Sequence, residues 1–258
     1  MVLGLVLVLL GLIGGFFSGL LGLGGSILMV PLLLFVPPLL GFPALDMKQV
    51  SAISIVQVFF ASISAVLIHR KNNAVSKPLV WYMGTASAVA SLAGAWTSAY
   101  VSARFLLFLF AGISTVAATL MFLPKRETES DLPADDVPFN RTLAVLIALS
   151  VGTIGGLIGA PGAFIYVPLL IYVLGIPTRV TVGSTLAIVL LGSLTGVVGK
   201  MATGQVPLLL AAALVVGAIP GARLGGQLSK KVNVRVLRWM VTAIVVVSTA
   251  KIWLQALS

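Results

Sequence analysis

The sequence predicts an all-α integral membrane protein built from two inverted-topology repeats. Each repeat is expected to be a glycine-turned helical hairpin, fully spanning or re-entrant, followed by three transmembrane helices. Three observations carry this: an apolar composition, ten apolar segments along the chain, and a glycine-rich motif that occurs twice. Of the 258 residues 59% are hydrophobic and only 9% are charged, with a mean hydropathy of +1.17. Soluble domains lie near about 45–50% apolar and about 25% charged, so water is the wrong solvent for this surface.

In chain order, the first half offers apolar segments at about 2–21, 25–37, 50–68, 79–100 and 104–123. The second half offers them at about 141–158, 162–174, 181–199, 206–228 and 236–256. Such runs read as repeated membrane spans. The apolar start, Met1 to Leu10, has no basic flank or cleavage site and reads as a retained span. Residues 1–123 form the first membrane repeat and 141–258 the second. Between them, 124–140 carries Pro124, Pro133 and Pro138 and five of the six acids, which predicts a solvated, poorly ordered cytoplasmic linker.

The duplication is legible at three places in one order. Gly19–Ser26 leading to Val30-Pro31-Leu32-Leu33 matches Gly156–Ala163 leading to Val167-Pro168-Leu169-Leu170, at a constant offset of 137. Lys48–Ile55 matches Arg179–Leu186 at 131, and Ala90–Ser102 matches Gly217–Ser229 at 127. Collinear matches of this kind favour duplication over chance likeness between Gly/Leu-rich helices.

The second segment of each half is short, roughly 13 residues, or about 20 Å of helix against a hydrocarbon core of about 30 Å. The first two segments of each half therefore form either one broken crossing or a hairpin that returns to its own side. Lys and Arg accumulate on the cytoplasmic side, so the basic residues discriminate. A broken crossing splits the 16 of them eight against eight. A hairpin gathers twelve on one side and leaves only Lys48, Arg104, Lys200 and Lys251 opposite. The hairpin is the better topology. Each half then holds an odd number of segments, so the halves are inverted, both termini are non-cytoplasmic, and the protein sits in the cell's inner (plasma) membrane. Inverted repeats are typical of secondary transporters, with the substrate near the midplane.

Candidate site residues lie in the two glycine turns, Gly22, Gly24, Gly25 and Ser26 in the first half and Gly159, Pro161, Gly162 and Ala163 in the second. Each turn precedes a short helix whose first N–H groups lack partners and carry partial positive charge, which suits an anion. The bland alternative is close helix packing through small residues. Hydroxyl and amide groups cluster in the third segments: Ser51, Ser54 and Gln57, then Ser184 and Thr185, with Ser54 and Thr185 as repeat mates. These either donate to an oxyanion or bond helix to helix. Arg223, inside its segment, either attracts an anion or snorkels to the interface.

Several function classes are excluded or disfavoured. No cysteine is present and no Asp or Glu falls within an apolar segment, which leaves no thiolate chemistry and no buried carboxylate relay. The net charge of +10 is spread singly and in pairs between apolar runs, a topology signal and not a nucleic-acid face. No cofactor is called for, and no oligomeric state is legible.

The paired motifs GLLGLGGSILMVPLL and GLIGAPGAFIYVPLL resemble those of the sulfite exporter TauE/SafE family of membrane permeases, as does Thr181-Val182-Gly183-Ser184-Thr185-Leu186. The resemblance spans nearly the whole chain outside the linker. It implies transport of a small sulfur-containing oxyanion, sulfite or an organosulfonate, with both motif regions near the substrate. The expected partners are thus the lipid bilayer and a small anion. The competing readings are a non-transporting membrane subunit or scaffold, and an intramembrane enzyme, for which the spans offer no nucleophile–base pair.

Overall fold

The structure, a computed structural model, describes residues 2–21, 26–69, 75–122, 132–160, 162–228, 246 and 250–253. Nine of the ten apolar segments form α-helices among the described residues: α1 (Val2–Leu21), α2 (Ser26–Leu39), α3 (Met47–His69), α4 (Lys77–Thr97), α5 (Ala103–Phe122), α6 (Arg141–Ile158), α7 (Ala163–Tyr172), α8 (Thr178–Ala202) and α9 (Leu208–Leu228). The tenth segment is described only at residue 246 and at 250–253, which are helical. There Trp253 Nε1 donates to Thr115 Oγ1 at 3.1 Å, docking the segment on α5. Gly22, Gly24, Gly25 and Pro161 lie outside the described residues.

Five of these helices, α1, α3, α6, α8 and α9, are long and apolar enough to cross a membrane. The central pair is α3 and α8, whose spans are 72% and 61% buried against 39–44% for α1, α6 and α9. Around it, α1 packs on α9 and α4 on α6, while α4 also lines α8 and α3 touches α9.

Small residues let these backbones meet. Gly11, Gly15 and Gly19 recur every fourth position on α1, and Gly217, Gly221 and Gly225 do so on α9. A methyl group at any of them would fall on the facing helix backbone, Gly11 on Leu214, Gly15 on Ala218 and Gly19 on Ala222. The pairing order shows that α1 and α9 run parallel. Gly152 against Ser87 and Gly156 against Ser91 give the same parallel packing for α6 and α4. This is the small-residue route to helix association in lipid, where hydrophobicity supplies no preference.

The linker corrects one expectation. Residues 132–140, read from composition as poorly ordered, carry a short 3-10 turn at Ala134–Asp136. Asp135 accepts from the Lys77 N–H at 2.7 Å and pairs with the Lys77 ammonium at 3.8 Å. Its carboxylate thus meets the positive N-terminus of α4, where Ser76 caps the Leu79 N–H at 3.4 Å. Asn140 then caps α6 through the Leu143 N–H at 3.1 Å.

These contacts define a linker end of the bundle and a far end. From the linker end, α4 rises to Ser98, beside Lys200 and Gln205. Gln205 directly precedes α9, so α9 and its parallel partner α1 descend from the far end, whereas α6 rises with α4.

Candidate functional site

The second glycine turn is built by two left-handed residues. Gly159, at φ +70°, closes α6, and the Ala160 N–H returns to the Gly155 carbonyl at 3.0 Å, the bond of a Schellman cap. A Cβ on Gly159 would collide with the Ser51 carbonyl, so the turn lies directly on the α3 backbone. Gly162, at φ +75°, opens α7 without a side-chain cap. Such a conformation suits glycine, and the close approach to Ser51 admits no side chain.

Both short helices fold back along the helices before them. Gly162 touches Val151 of α6, and the Tyr166 hydroxyl donates to Ser87 Oγ at 2.9 Å, with the Ala148 carbonyl at 3.2 Å. In the first half, Gly14 of α1 meets Met29 of α2. Gly14 and Met29 are repeat mates of Val151 and Tyr166, both of which lie against Gly162, so the two halves fold back at corresponding places. The hairpin reading is the one seen, and a continuous broken crossing is not.

Depth follows from helix geometry. Val151 lies ten residues into α6 and Gly14 twelve residues into α1, about 15 and 18 Å along their axes. Against a core of about 30 Å, α7 begins near half depth, and α2, whose fourth residue is Met29, begins about 22 Å along α1; both start inside the core. Their 14 and 10 residues are shorter than a crossing, about 21 and 15 Å. Ser26 and Ala163 are their first residues.

Ser51, Ser54, Gln57, Ser184 and Thr185 of α3 and α8 are fully buried, and their bonding sorts them into two kinds. Ser51 Oγ takes a bond from Lys200 Nζ at 2.9 Å, and Ser184 Oγ accepts the Ser76 N–H at 3.0 Å. Ser184 is therefore occupied as a structural acceptor. By contrast, Ser54 Oγ, both amide atoms of Gln57 and Thr185 Oγ1 have no partner among the described residues. Buried polar atoms are nearly always satisfied, and unpaired ones are costly. With Ser62 Oγ and Thr178 Oγ1, the two central helices carry six such atoms among the described residues, spread along their length.

The structure does not bring Ser54 and Thr185 together. Ser51 meets Lys200 and Ile55 meets Gly196, so α3 and α8 are antiparallel. Gly196 is eleven residues from Thr185, about 16 Å along the helix, which places the two hydroxyls well apart. Ser54 and Gln57 lie toward the far end and Thr185 toward the linker end, with the short-helix N-termini at intermediate depth. Arg223 is exposed on α9, on the side of that helix facing away from the buried glycine stripe.

Sequence reasoning missed Lys200. Although it ends α8, its side chain is 0% exposed, held by Ser51 Oγ, Ser98 Oγ at 2.8 Å, Gln205 Oε1 at 3.4 Å and the Leu157 carbonyl at 3.5 Å. A lysine in the last turn of an apolar helix normally marks the interface, and nothing in the sequence distinguishes this one.

A bundle of apolar helices with short helices folded back inside it is that of a multi-pass membrane protein, and its family and relatives are those of membrane transporters. The chain belongs to the sulfite exporter TauE/SafE family, which it matches over residues 7–252. It is 29% identical to the "Probable membrane transporter protein YunE" of Bacillus subtilis over 250 residues, 90% of each chain. The "Probable membrane transporter protein YdhB" of the same organism is 27% identical over 86% of this chain and 87% of its own. A protein of Methanocaldococcus jannaschii, likewise described as a probable membrane transporter, is 23% identical over 93% and 91%. No solved structure matches this chain.

Proposed function

We propose that this transporter is a permease for a small sulfur-containing oxyanion, sulfite or an organosulfonate, working by alternating access in the inner (plasma) membrane. The observation that carries the reading is the set of unpartnered, fully buried donors, Ser54, Gln57 and Thr185, on either side of two short helices that start inside the bundle. An oxyanion brings only acceptor oxygens. Hydroxyl and amide donors, with the first N–H groups of α2 and α7, complement it without adding fixed charge. In this reading the anion rests between the two glycine turns, at Gly22, Gly24, Gly25 and Ser26 and at Gly159, Pro161, Gly162 and Ala163. It passes Ser54 and Gln57 on one side and Ser184 and Thr185 on the other, with Arg223 an outlying attractant.

Alternating access is supported by the pairing of helices. In this reading residues 1–123 and 141–258 are inverted repeats, each lending its first helix to the other. The parallel contacts α1 with α9 and α6 with α4 are of that reciprocal kind, and α1 and α6 run in opposite directions. The acidic linker would then be cytoplasmic and both termini non-cytoplasmic. The chemistry is transport and not catalysis.

Flux into proteoliposomes, compared for sulfite, a sulfonate, sulfate and chloride, tests the substrate class. Saturable sulfite or sulfonate flux above chloride is expected. Absence of specific flux for every anion overturns the reading. Replacing Gly25 or Gly162 by leucine is expected to abolish flux while the protein still inserts.

A further inference from the structure

We infer that Lys200 is an anion-docking residue, the charged entrance of a polar file Lys200–Ser51–Ser54–Gln57 that leads inward from the far end of the bundle. This rests on the permease reading and adds to it a lysine amine and an ordered approach. Lys200 Nζ has two well-made bonds, to Ser98 Oγ at 2.8 Å and Ser51 Oγ at 2.9 Å. An ammonium has three protons. The third finds only Gln205 Oε1 at 3.4 Å and the Leu157 carbonyl at 3.5 Å, both at the outer limit of a hydrogen bond. Gln205 is itself engaged, its amide donating to the Ala95 carbonyl at 3.1 Å and to Thr203.

All four oxygens around the fully buried Lys200 belong to neutral groups, so its ammonium has no countercharge among the described residues. An ammonium buried this way is disfavoured against its neutral amine unless an anion shares the site. A second cation stands at the same end, where Lys48 Nζ donates to the Ala99 carbonyl at 2.9 Å. The two lysines bracket the C-terminus of α4, and none of their bonds goes to an acid. This end therefore attracts anions and offers a weakly engaged donor to hold one.

The file continues along α3. Ser54 and Gln57 follow Ser51 at successive three-residue steps, which keeps them toward one face, and six residues advance about 9 Å into the bundle. Ser54 and Gln57 are left without partners among the described residues, while Ser51, at the entrance, already bonds Lys200. A small oxyanion released from Lys200 would next meet an unfilled hydroxyl and then an unfilled amide, close to the turn at Gly159 that lies on Ser51. A purely structural lysine would tie α3, α4 and α8 together and leave no donors beyond it.

The test uses sulfite as the probe, with the full-length protein in proteoliposomes for flux and in detergent for a sulfite-dependent rise in melting temperature. Lys200→Gln keeps hydrogen bonding and removes the charge, and Lys200→Arg restores the charge. The expected result for K200Q is a KM raised by about tenfold or more, as for loss of a charged hydrogen bond, with a smaller change in kcat. Its sulfite-induced thermal shift is lost, and K200R recovers most of both. Wild-type KM and wild-type thermal shift in K200Q overturn the inference, as does equal impairment of K200Q and K200R. If K200Q does not fold, Ser54→Ala and Gln57→Leu decide: raised KM in both upholds the file, and wild-type KM in both overturns it. If the wild type carries no anion the permease reading falls, and the docking residue then stands or falls on whether sulfite's thermal shift depends on Lys200.

Discussion

Ser184 and Thr185 are neighbours on α8, both fully buried, yet their hydroxyls do different things. Ser184 accepts the Ser76 N–H at the start of α4, so Ser184→Ala strands a buried donor. That is expected to cost about 1–3 kcal/mol, read from unfolding in detergent. Thr185 Oγ1 bonds to nothing among the described residues. Thr185→Val keeps the shape and removes an unpaired polar atom, so stability is expected to hold or rise while sulfite flux falls about tenfold, the effect of one hydrogen bond to an anion. Flux untouched in Thr185→Val would show that this hydroxyl has no part in transport. Gly159 is limited differently, by its left-handed backbone and the Ser51 carbonyl against it. Gly159→Ala is expected to lower the melting temperature strongly, because neither the φ nor the contact can relax without moving α3.

At the scale of the element, the α1–α9 seam is set by residues that are absent as much as present. Gly217→Leu drives a side chain into the Val8 and Leu12 backbone and is expected to separate the two helices, leaving little folded protein on size-exclusion chromatography. Gly4→Leu, on the same α1 but with nothing near its Cβ position, is expected to elute as wild type. The nine described helices were legible in the sequence as apolar runs ended by proline, glycine or charge, whereas the α1–α9 seam emerges only from the packing. Hairpins were legible only through the distribution of Lys and Arg, since local periodicity is the same for a kinked helix and a reversed one. What sequence could not show depends on distant partners. Residues 132–140 looked disordered because the group that orders Asp135 is Lys77, far back in the chain. The 16 Å or so between Ser54 and Thr185 follows from antiparallel α3 and α8, a tertiary fact. Lys200 looked interfacial because its burial is supplied by Ser51 and Ser98 of other helices.

For the whole molecule the strongest constraint is how the charges sort between the two ends. Lys77 and Arg141 begin helices at the linker end, where Arg141 lies over the Tyr82 ring at 5.2 Å. Lys48 and Lys200 meet α4 at the far end, and Arg104 opens α5 just beyond it. Lys251 lies over Phe35 at 5.6 Å, in the part of α2 that has already turned back toward the far end. The four basic residues that the hairpin topology sets apart, Lys48, Arg104, Lys200 and Lys251, are thus gathered at one end, although local sequence places them in different segments. An arrangement of this kind fixes which loops share a face of the membrane. The chain has no cysteine, so single cysteines report their side without background. Asp46→Cys, before α3, and Asp136→Cys, in the turn before α6, are expected to react with a membrane-impermeant maleimide from opposite faces. Asp136→Cys is expected to be protected in intact cells and exposed in inverted vesicles if, as the positive-inside reading proposes, the linker is cytoplasmic. Labelling of both from one face is incompatible with α3 crossing the membrane, and with it the two-sided approach to the hairpins on which a transport site depends.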